Sequence, residues 1–327
     1  MAVVKFAIPK GSLEAGTQEL LSKAMLRLRG VERTYRPVVD DREIEVKILR
    51  PQEIPLLVGG GAYDIGITGV DWINETKADV NILLDLEYGY VRLVAAAPKT
   101  STLSSLNEYV EEHALKRKPL RISTEYLNTT AEYVSSTPAY RKYYGGKRPL
   151  IVTPWWRKGE NEMVEIYLSF GATEAKPPEE ADLIVDASAT GITLEQNNLK
   201  VLEVISESTA MLIANKQSYA DPVKREKILD IMTLFKGVVE SSKKLHIFAN
   251  VRQDNLETLL KALPALKSPT VSQLSEKGWY AINTVVSKTE FLKILPTLRR
   301  LAQGLVVHEP NLLLPLEEIL QRSGGQS

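Results

Sequence analysis

The chain has 327 residues, enough for two or three domains of ~100–150 residues each, and its 44% hydrophobic and 25% charged content is that of a globular protein. Its 41 basic and 41 acidic side chains cancel, which argues against nucleic acid or an anionic membrane as partner. With no cysteine it has no disulfide, thiolate nucleophile or zinc–thiolate site, and its three histidines, His113, His246 and His308, are scattered as satisfied surface or strand residues are. The apolar run at Met1–Lys10 is too short for a signal peptide and no stretch approaches ~18 apolar residues, so a cytoplasmic location is expected.

Val3 to Ile8 reads as a buried strand, and a helix is expected from Leu13 to about Arg29, with Ser12 as its N-cap and Gly30 as its stop. Glu43 to Leu49 alternates as a strand, Arg50-Pro51 opens a helix ending in Gly59-Gly60-Gly61, and Asp64 to Gly69 is strand then loop, with Asp71 placed to cap the next helix. Tyr90 to Ala97 is a further strand, and Pro98 to Ser105 reads as a crossing into a second lobe. In that lobe Leu120 to Ser123 is a strand, Asn128 to Tyr144 a helix and Val164 to Leu168 a strand. Residues 149–161, with Trp155-Trp156, read as a surface excursion whose aromatics pack on the lobe or on a neighbouring subunit.

Leu183 to Val185 forms an apolar strand that delivers Asp186 at its carboxyl end, where open α/β sheets place ligands. The loop after it carries Ser188, Thr190, Gly191 and Thr193, small hydroxyl and glycine residues that suit phosphate held by backbone amides. Asp186 repels phosphate but accepts from ribose hydroxyls, so the segment describes a cradle for ribose 5-phosphate. Strands at Val201 to Ile205 and Ala210 to Ile213 are expected to return to the first lobe, and Asp221 to Lys243 to form a long helix. Strand and helix signals from Leu245 to His308 then run β-α-β-β-α-β, the ferredoxin-like plan. The expected layout is α/β throughout: lobe I at 1–99 and about 204–243, lobe II at 100–203, and a ferredoxin-like domain at 244–327, with a cleft between the lobes.

Five segments in order resemble the ATP phosphoribosyltransferase family in its long form with a C-terminal regulatory domain: Ile8-Pro-Lys10-Gly11-Ser12, Arg50-Pro51-Gln52-Glu-Ile54-Pro55, Asp64 to Asp71, Gly171-Ala-Thr-Glu174 with Asp182 to Leu194, and Leu266 to Ser272 with Gly278-Trp279. The chain departs from the family at Ser12, where arginine is usual, at 175–181, where a glycine is missing, and at Glu125, where lysine is common. The resemblance implies a two-lobed, periplasmic-binding-protein-like catalytic core. It implies a glycosyltransferase that moves 5-phosphoribose from phosphoribosyl pyrophosphate (PRPP) to N1 of ATP, releases pyrophosphate, opens histidine biosynthesis and is inhibited by histidine. Such a displacement needs positioning and charge neutralisation more than a side-chain nucleophile.

The implied roles follow the matching positions. Ser188, Thr190, Gly191, Ile192 through its amide, and Thr193 would hold the 5-phosphate, with Asp186 on the ribose hydroxyls. Lys10 and Arg50 would clamp pyrophosphate, or form surface ion pairs. Glu174 would hold ribose or metal, or only cap local structure, and period-two alternation leaves Asp182 facing either side of the sheet. Gly11, Asp64, Gly66, Thr68 and Gly69 would line the ATP site, although Gly66 and Gly69 could serve packing and the turn instead. Magnesium would be held mainly by substrate oxygens with help from Glu174 or Asp186, and inhibitory histidine by Asn250, Leu266 and Thr270. Homo-oligomers from dimer to hexamer are implied as well. The competing expectation is a two-lobed binding or effector module without catalysis, which has no reason to keep the loop at 186–193.

Overall fold

In a computed structural model the alternation of strand and helix is realised over residues 3–31, 34–263 and 269–314, which are the residues the structure describes. The elements run β1 (Val4–Pro9), α1 (Glu14–Lys23), β2 (Leu28–Arg29), β3 (Val38–Val39), β4 (Ile44–Leu49), α2 (Ile54–Gly59), β5 (Ile65–Gly69), α3 (Val70–Thr76) and β6 (Val80–Asp85). They continue with β7 (Val91–Pro98), α4 (Leu106–Lys116), β8 (Leu120–Thr124), α5 (Leu127–Ser136), α6 (Pro138–Tyr144), β9 (Pro149–Val152), β10 (Arg157–Lys158), β11 (Asn161–Leu168), β12 (Leu183–Ser188) and α7 (Ile192–Gln196). Last come β13 (Leu199–Ser208), β14 (Ala210–Asn215), α8 (Lys216–Ala220), α9 (Pro222–Ser242), β15 (Lys244–Arg252), α10 (Gln253–Ala262), β16 (Thr270–Gln273), β17 (Trp279–Ser287), α11 (Lys288–Leu301) and β18 (Ala302–His308).

One compact unit, Val3–Thr17 with Ile44–Asp221, holds two sheets. The first has the order β4-β1-β5-β14-β6, with β4, β1 and β5 parallel, so Lys10, Arg50 and Gly69 stand at one edge. The second has the order β10-β9-β11-β8-β12-β7-β13, and β9, β11, β8 and β12 are parallel. Its core gathers Leu120, Ile122, Val164, Ile166, Leu183 and Val185 under the helices of the lobe. Strands buried on both faces read as apolar runs, which is why Phe6 to Ile8 of β1 and Leu183 to Val185 of β12 were visible in the sequence.

Several elements differ from expectation. Strand β7 already belongs to the second sheet, and β13 stays with it; only β14 returns, so the chain changes sheets at 86–90 and at Thr209. The helix expected over 128–144 breaks into α5 and α6, because Pro138 forces Thr137 into an extended conformation, where its hydroxyl caps the second helix. The 149–161 segment is a hairpin of β9 and β10 whose Trp155 is 72% exposed and meets Phe170 edge-on at 5.8 Å. Asp71 lies inside the first turn of α3, whose N-cap is Gly69.

The other unit, Gln18–Glu43 with the residues from Pro222 onward, contains α9, the β2–β3 ribbon and a four-stranded antiparallel sheet of order β16-β17-β15-β18. Helices α10 and α11 share a core with Leu245, Ile247, Ala249 and Val251 on one face of that sheet, which is the ferredoxin-like arrangement. Helix α1 stops at Lys23, short of Arg29, and Met25 takes φ 62 in the left-handed region beyond its end. The Leu26 amide donates to the Leu21 carbonyl at 2.8 Å and the Met25 amide to the Ser22 carbonyl at 3.3 Å, a Schellman closure with methionine where glycine is usual. No helix among the described residues is long and apolar enough to cross a membrane.

Candidate active site

Asp186 rides on β12 two residues before the strand's buried end at Ser188, half-buried, with its Oδ1 accepting from the Ala187 amide at 2.7 Å. The hydroxyl of buried Thr173 donates to the same carboxylate. Burial is the main reason its pKa is pushed up from 3.8 to about 6; the charges of Glu125 and Glu174 add to the rise, while the two hydrogen bonds oppose it. Thr173 was not singled out by the sequence, although it sits beside Glu174 in the same matched segment.

The loop beyond Asp186 is shaped from inside. Buried Ser188 turns its Oγ to accept from the Gly191 amide at 3.1 Å, and the Thr190 hydroxyl accepts from the Ile192 amide at 3.5 Å. Gly191, at φ 81, is the N-cap of α7, a backbone state that glycine adopts without strain. Thr190, Ile192 and Thr193 are exposed, so the first turn of α7 presents amides and hydroxyls to solvent. This fits an anion seated on the loop, with Ser188 holding its shape.

Asp182 is a correction. It stands at the opposite, amino end of β12, and its carboxylate accepts from the Arg121 backbone amide at 2.8 Å and pairs with the Arg121 guanidinium at 3.0 Å. Arg121 also donates to the carbonyls of Pro178 and Glu179, so Asp182 ties a loop to the sheet and has no part in the pocket.

In the first sheet, Lys10 and Arg50 follow the adjacent parallel strands β1 and β4, and the Lys10 amide bonds to the Leu49 carbonyl at 2.8 Å. Gly11 is at φ 90, and a Cβ added there would stand 4.0 Å from Arg50 Nη1. The residues expected to line the ATP site divide. Gly11 and Gly69 are at the carboxyl edge, whereas Asp64 is buried at the amino end of β5, accepting from the Lys5 amide at 2.8 Å and the Ser218 hydroxyl at 2.6 Å. Gly66 leaves room for α2, since a Cβ there would stand 2.5 Å from Ile54 Cγ2, and the Thr68 hydroxyl donates to the Pro51 carbonyl at 2.8 Å, bracing the loop after Arg50. Asp64, Gly66 and Thr68 therefore serve packing and support. Beside Arg50, Gln52 Oε1 is a buried acceptor without a hydrogen-bond partner among the described residues, a feature no sequence pattern would reveal.

Two groups thus emerge in one unit: Lys10, Gly11, Arg50 and Gly69 at the carboxyl edge of one sheet, and Glu125, Thr173, Glu174, Asp186 and the loop to Thr193 at the carboxyl edge of the other. A separate open groove of about 1180 Å³ runs along α5 and the hairpin, lined in part by Arg141, Lys147, Arg148, Trp156 and Lys158, and contains none of these residues.

A family model described as ATP phosphoribosyltransferase matches residues 50–237, and one described as the C-terminal domain of the same family matches 241–309. The chain belongs to the ATP phosphoribosyltransferase family. Proteins called ATP phosphoribosyltransferase from Chlorobaculum parvum and Solibacter usitatus are 36% and 37% identical to it, over 95% and 94% of this chain and 98% of each relative. A chain from a solved ATP phosphoribosyl transferase (HisG:HisZ) complex of Thermotoga maritima is 25% identical, with a TM-score of 0.55 over 73% of this chain and 99% of that one. The enzyme is thus a pentosyltransferase of histidine biosynthesis, with a C-terminal domain of the long form. The structure places the loop after Asp186 and the Lys10–Arg50 edge on different sheets.

Proposed function

We propose that the loop from Asp186 to Thr193 holds the ribose 5-phosphate of PRPP while ATP approaches from the first sheet, and that N1 of the adenine displaces pyrophosphate from C1 of the ribose. The observation that carries this reading is the pairing of a half-buried carboxylate with a glycine-capped, amide-presenting turn at one strand end. Asp186 accepts from the ribose hydroxyls, the Thr173 hydroxyl and the Ala187 amide hold it in place, and the amides of Thr190, Ile192 and Thr193 with the Thr190 and Thr193 hydroxyls receive the phosphate, while Ser188 keeps the Gly191 amide. Lys10 and Arg50 neutralise the pyrophosphate as it leaves, with Arg50 able to grip two oxygens at once. Gly11 and Gly69 give ATP close access to the backbone.

Magnesium prefers oxygen ligands and is commonly bound by one or two carboxylates with substrate phosphates. Asp186 and Glu174, close enough for their charges to interact, are the carboxylates that fit it, and no group of three acids or histidines among the described residues forms a protein-only cage. The ion would supply charge neutralisation for the pyrophosphate. The enzyme is expected to be cytoplasmic and to assemble from dimers to a hexamer.

The histidine-sensing role falls to the C-terminal domain. Asn250 on β15 is paired with Ala281, and Thr270 on β16 with Asn283, so the two lie in neighbouring rows on the sheet face opposite the α10–α11 core, where both are exposed. Leu266 lies outside the described residues. Histidine bound there would lower turnover by favouring one of two states, and titration with millimolar histidine giving no heat would remove this part of the reading.

The activity itself is tested by mixing the protein with ATP, PRPP and magnesium, adding pyrophosphatase, and following the ultraviolet absorbance of the modified adenine. Absorbance that rises only with both substrates supports the reading; none at any enzyme concentration contradicts it.

A further inference from the structure

The chain passes between the two sheets twice, and the crossings lie side by side: the Leu86 amide donates to the Ala210 carbonyl and the Ala210 amide to the Tyr88 carbonyl, each at 2.9 Å. Two adjacent crossings make a hinge about which lobes can swing. Helix α3 starts at that hinge, where the Val70 amide donates to the Thr209 carbonyl at 3.1 Å, and ties the lobes together along its length. Its Asp71 accepts from the Tyr126 hydroxyl at 2.7 Å through Oδ2 and from the Ser208 hydroxyl at 2.7 Å through Oδ1. Trp72 stacks on Tyr126 with ring centroids 4.4 Å apart and packs against the core of the second sheet.

One turn further along, buried Glu75 accepts from the amides of Asn128 and Thr129 and from the Thr129 hydroxyl, each at 2.9 Å, while the Asn128 side chain donates to the Glu75 carbonyl. Outside it, Lys77 pairs with Glu132 at 2.8 Å. The N-cap residue of α5, Tyr126, makes no side-chain cap bond; a carboxylate from the other lobe supplies that function. Burial raises the Glu75 pKa against the opposing pull of its hydrogen bonds and of Lys77, so the charge is held there at a cost that ordinary surface packing would not incur.

The segment gripped in this way is the turn between β8 and α5, and it also carries Glu125, whose charge is felt by Asp186. We propose that Asp71, Tyr126 and Glu75 form an inter-lobe clasp that sets the spacing between the phosphoribosyl pocket on the second sheet and the Lys10–Arg50 edge of the first, with Tyr126 and Glu75 as positioning residues for the transfer. This rests on the assignment of PRPP to the Asp186 loop. Before reaction PRPP is anchored on the second lobe through its 5-phosphate and ribose, and the Lys10–Arg50 edge engages its pyrophosphate mainly as that group leaves, so loosening the clasp leaves PRPP affinity nearly unchanged and misplaces the reacting atoms, for which errors of an ångström cost roughly 100-fold in rate.

The test compares Tyr126→Phe, which keeps the stack on Trp72 and loses the hydroxyl, with Glu75→Gln and the double variant, measuring kcat, the PRPP dissociation constant by titration calorimetry, and Tm. The clasp predicts a PRPP dissociation constant within about 2-fold of wild type and a kcat lowered ~10–100-fold in the double variant. It also predicts that Asp71→Asn, which keeps an acceptor for Tyr126, retains far more activity than Asp71→Ala. An unchanged kcat in the double variant overturns the proposal. So does a kcat that falls in step with PRPP affinity and Tm, the mark of general destabilisation. If wild type binds no PRPP, the pocket assignment fails first and the clasp falls with it.

Discussion

Asp186 must be ionised to accept from two ribose hydroxyls, yet its surroundings hold a proton up to about pH 6. The proposed mechanism therefore predicts an acid limb near pH 6 in kcat/KM for PRPP, with activity lost as pH falls through it. Because the charge of Glu125 raises the Asp186 pKa, Glu125→Gln moves that limb to lower pH, and a limb that stays in place or moves up contradicts the account. The stability of the free protein has the opposite sign: a carboxyl with a raised folded-state pKa binds its proton more tightly when folded, so its contribution to stability grows as pH falls from about 6 towards 3.8. At the same scale, Thr190→Val removes a hydroxyl and adds no bulk, and is expected to raise the PRPP KM by about 10-fold, the worth of one hydrogen bond to a charged group. A steady-state titration of PRPP measures it.

At the scale of elements, glycines that look alike in sequence separate into two kinds. Gly191 holds φ 81 with open space around it, so Gly191→Ala strains only the backbone and is expected to weaken PRPP binding with a stability loss of about 1 kcal/mol. Gly66 is an ordinary strand residue whose added Cβ would meet Ile54 and Val58 at 2.5 and 3.0 Å. Gly66→Ala is therefore expected to cost about 1–3 kcal/mol by overpacking, read as a lower Tm with unchanged PRPP affinity. The sequence could not divide them, because periodicity reports which face is apolar and is silent on how near the next helix comes.

Helix ends were legible only where the usual residues marked them. Pro222 opens α9 as expected, but α1 closes on Met25, and the apolar spacing of Leu20, Leu21, Ala24, Met25 and Leu28 carried the expected helix past its true end at Lys23. Met25→Gly, matching residue to φ, is expected to raise Tm, by about 0.5–1 kcal/mol in stability. Asp182 and Asp64 are a different case. Both are acids that precede their strands, so the strand boundaries already put them at the amino ends, and the structure shows the support they give there, Asp64 to the Lys5 amide and Asp182 to Arg121.

For the whole molecule, the alternation of strands and helices was enough to foresee two lobes and a ferredoxin-like domain, since each buried strand reads as a local apolar run. Membership of a strand in one sheet or the other depends on long-range pairing, so β7 and β13 were placed in the wrong lobe. Contacts made across 53 to 137 positions of sequence, such as Glu75 with Asn128 or Asp71 with Ser208, leave no local trace at all. The account gives the phosphoribosyl group to the second sheet and the basic edge to the first, and its centre is the seat of the 5-phosphate. A crystal of the full chain soaked with PRPP tests that directly. The account predicts density for the 5-phosphate on the amides of Thr190, Ile192 and Thr193 with the ribose diol on Asp186; PRPP found instead in the groove of Arg141, Lys147, Arg148 and Lys158, with the loop empty, would contradict it.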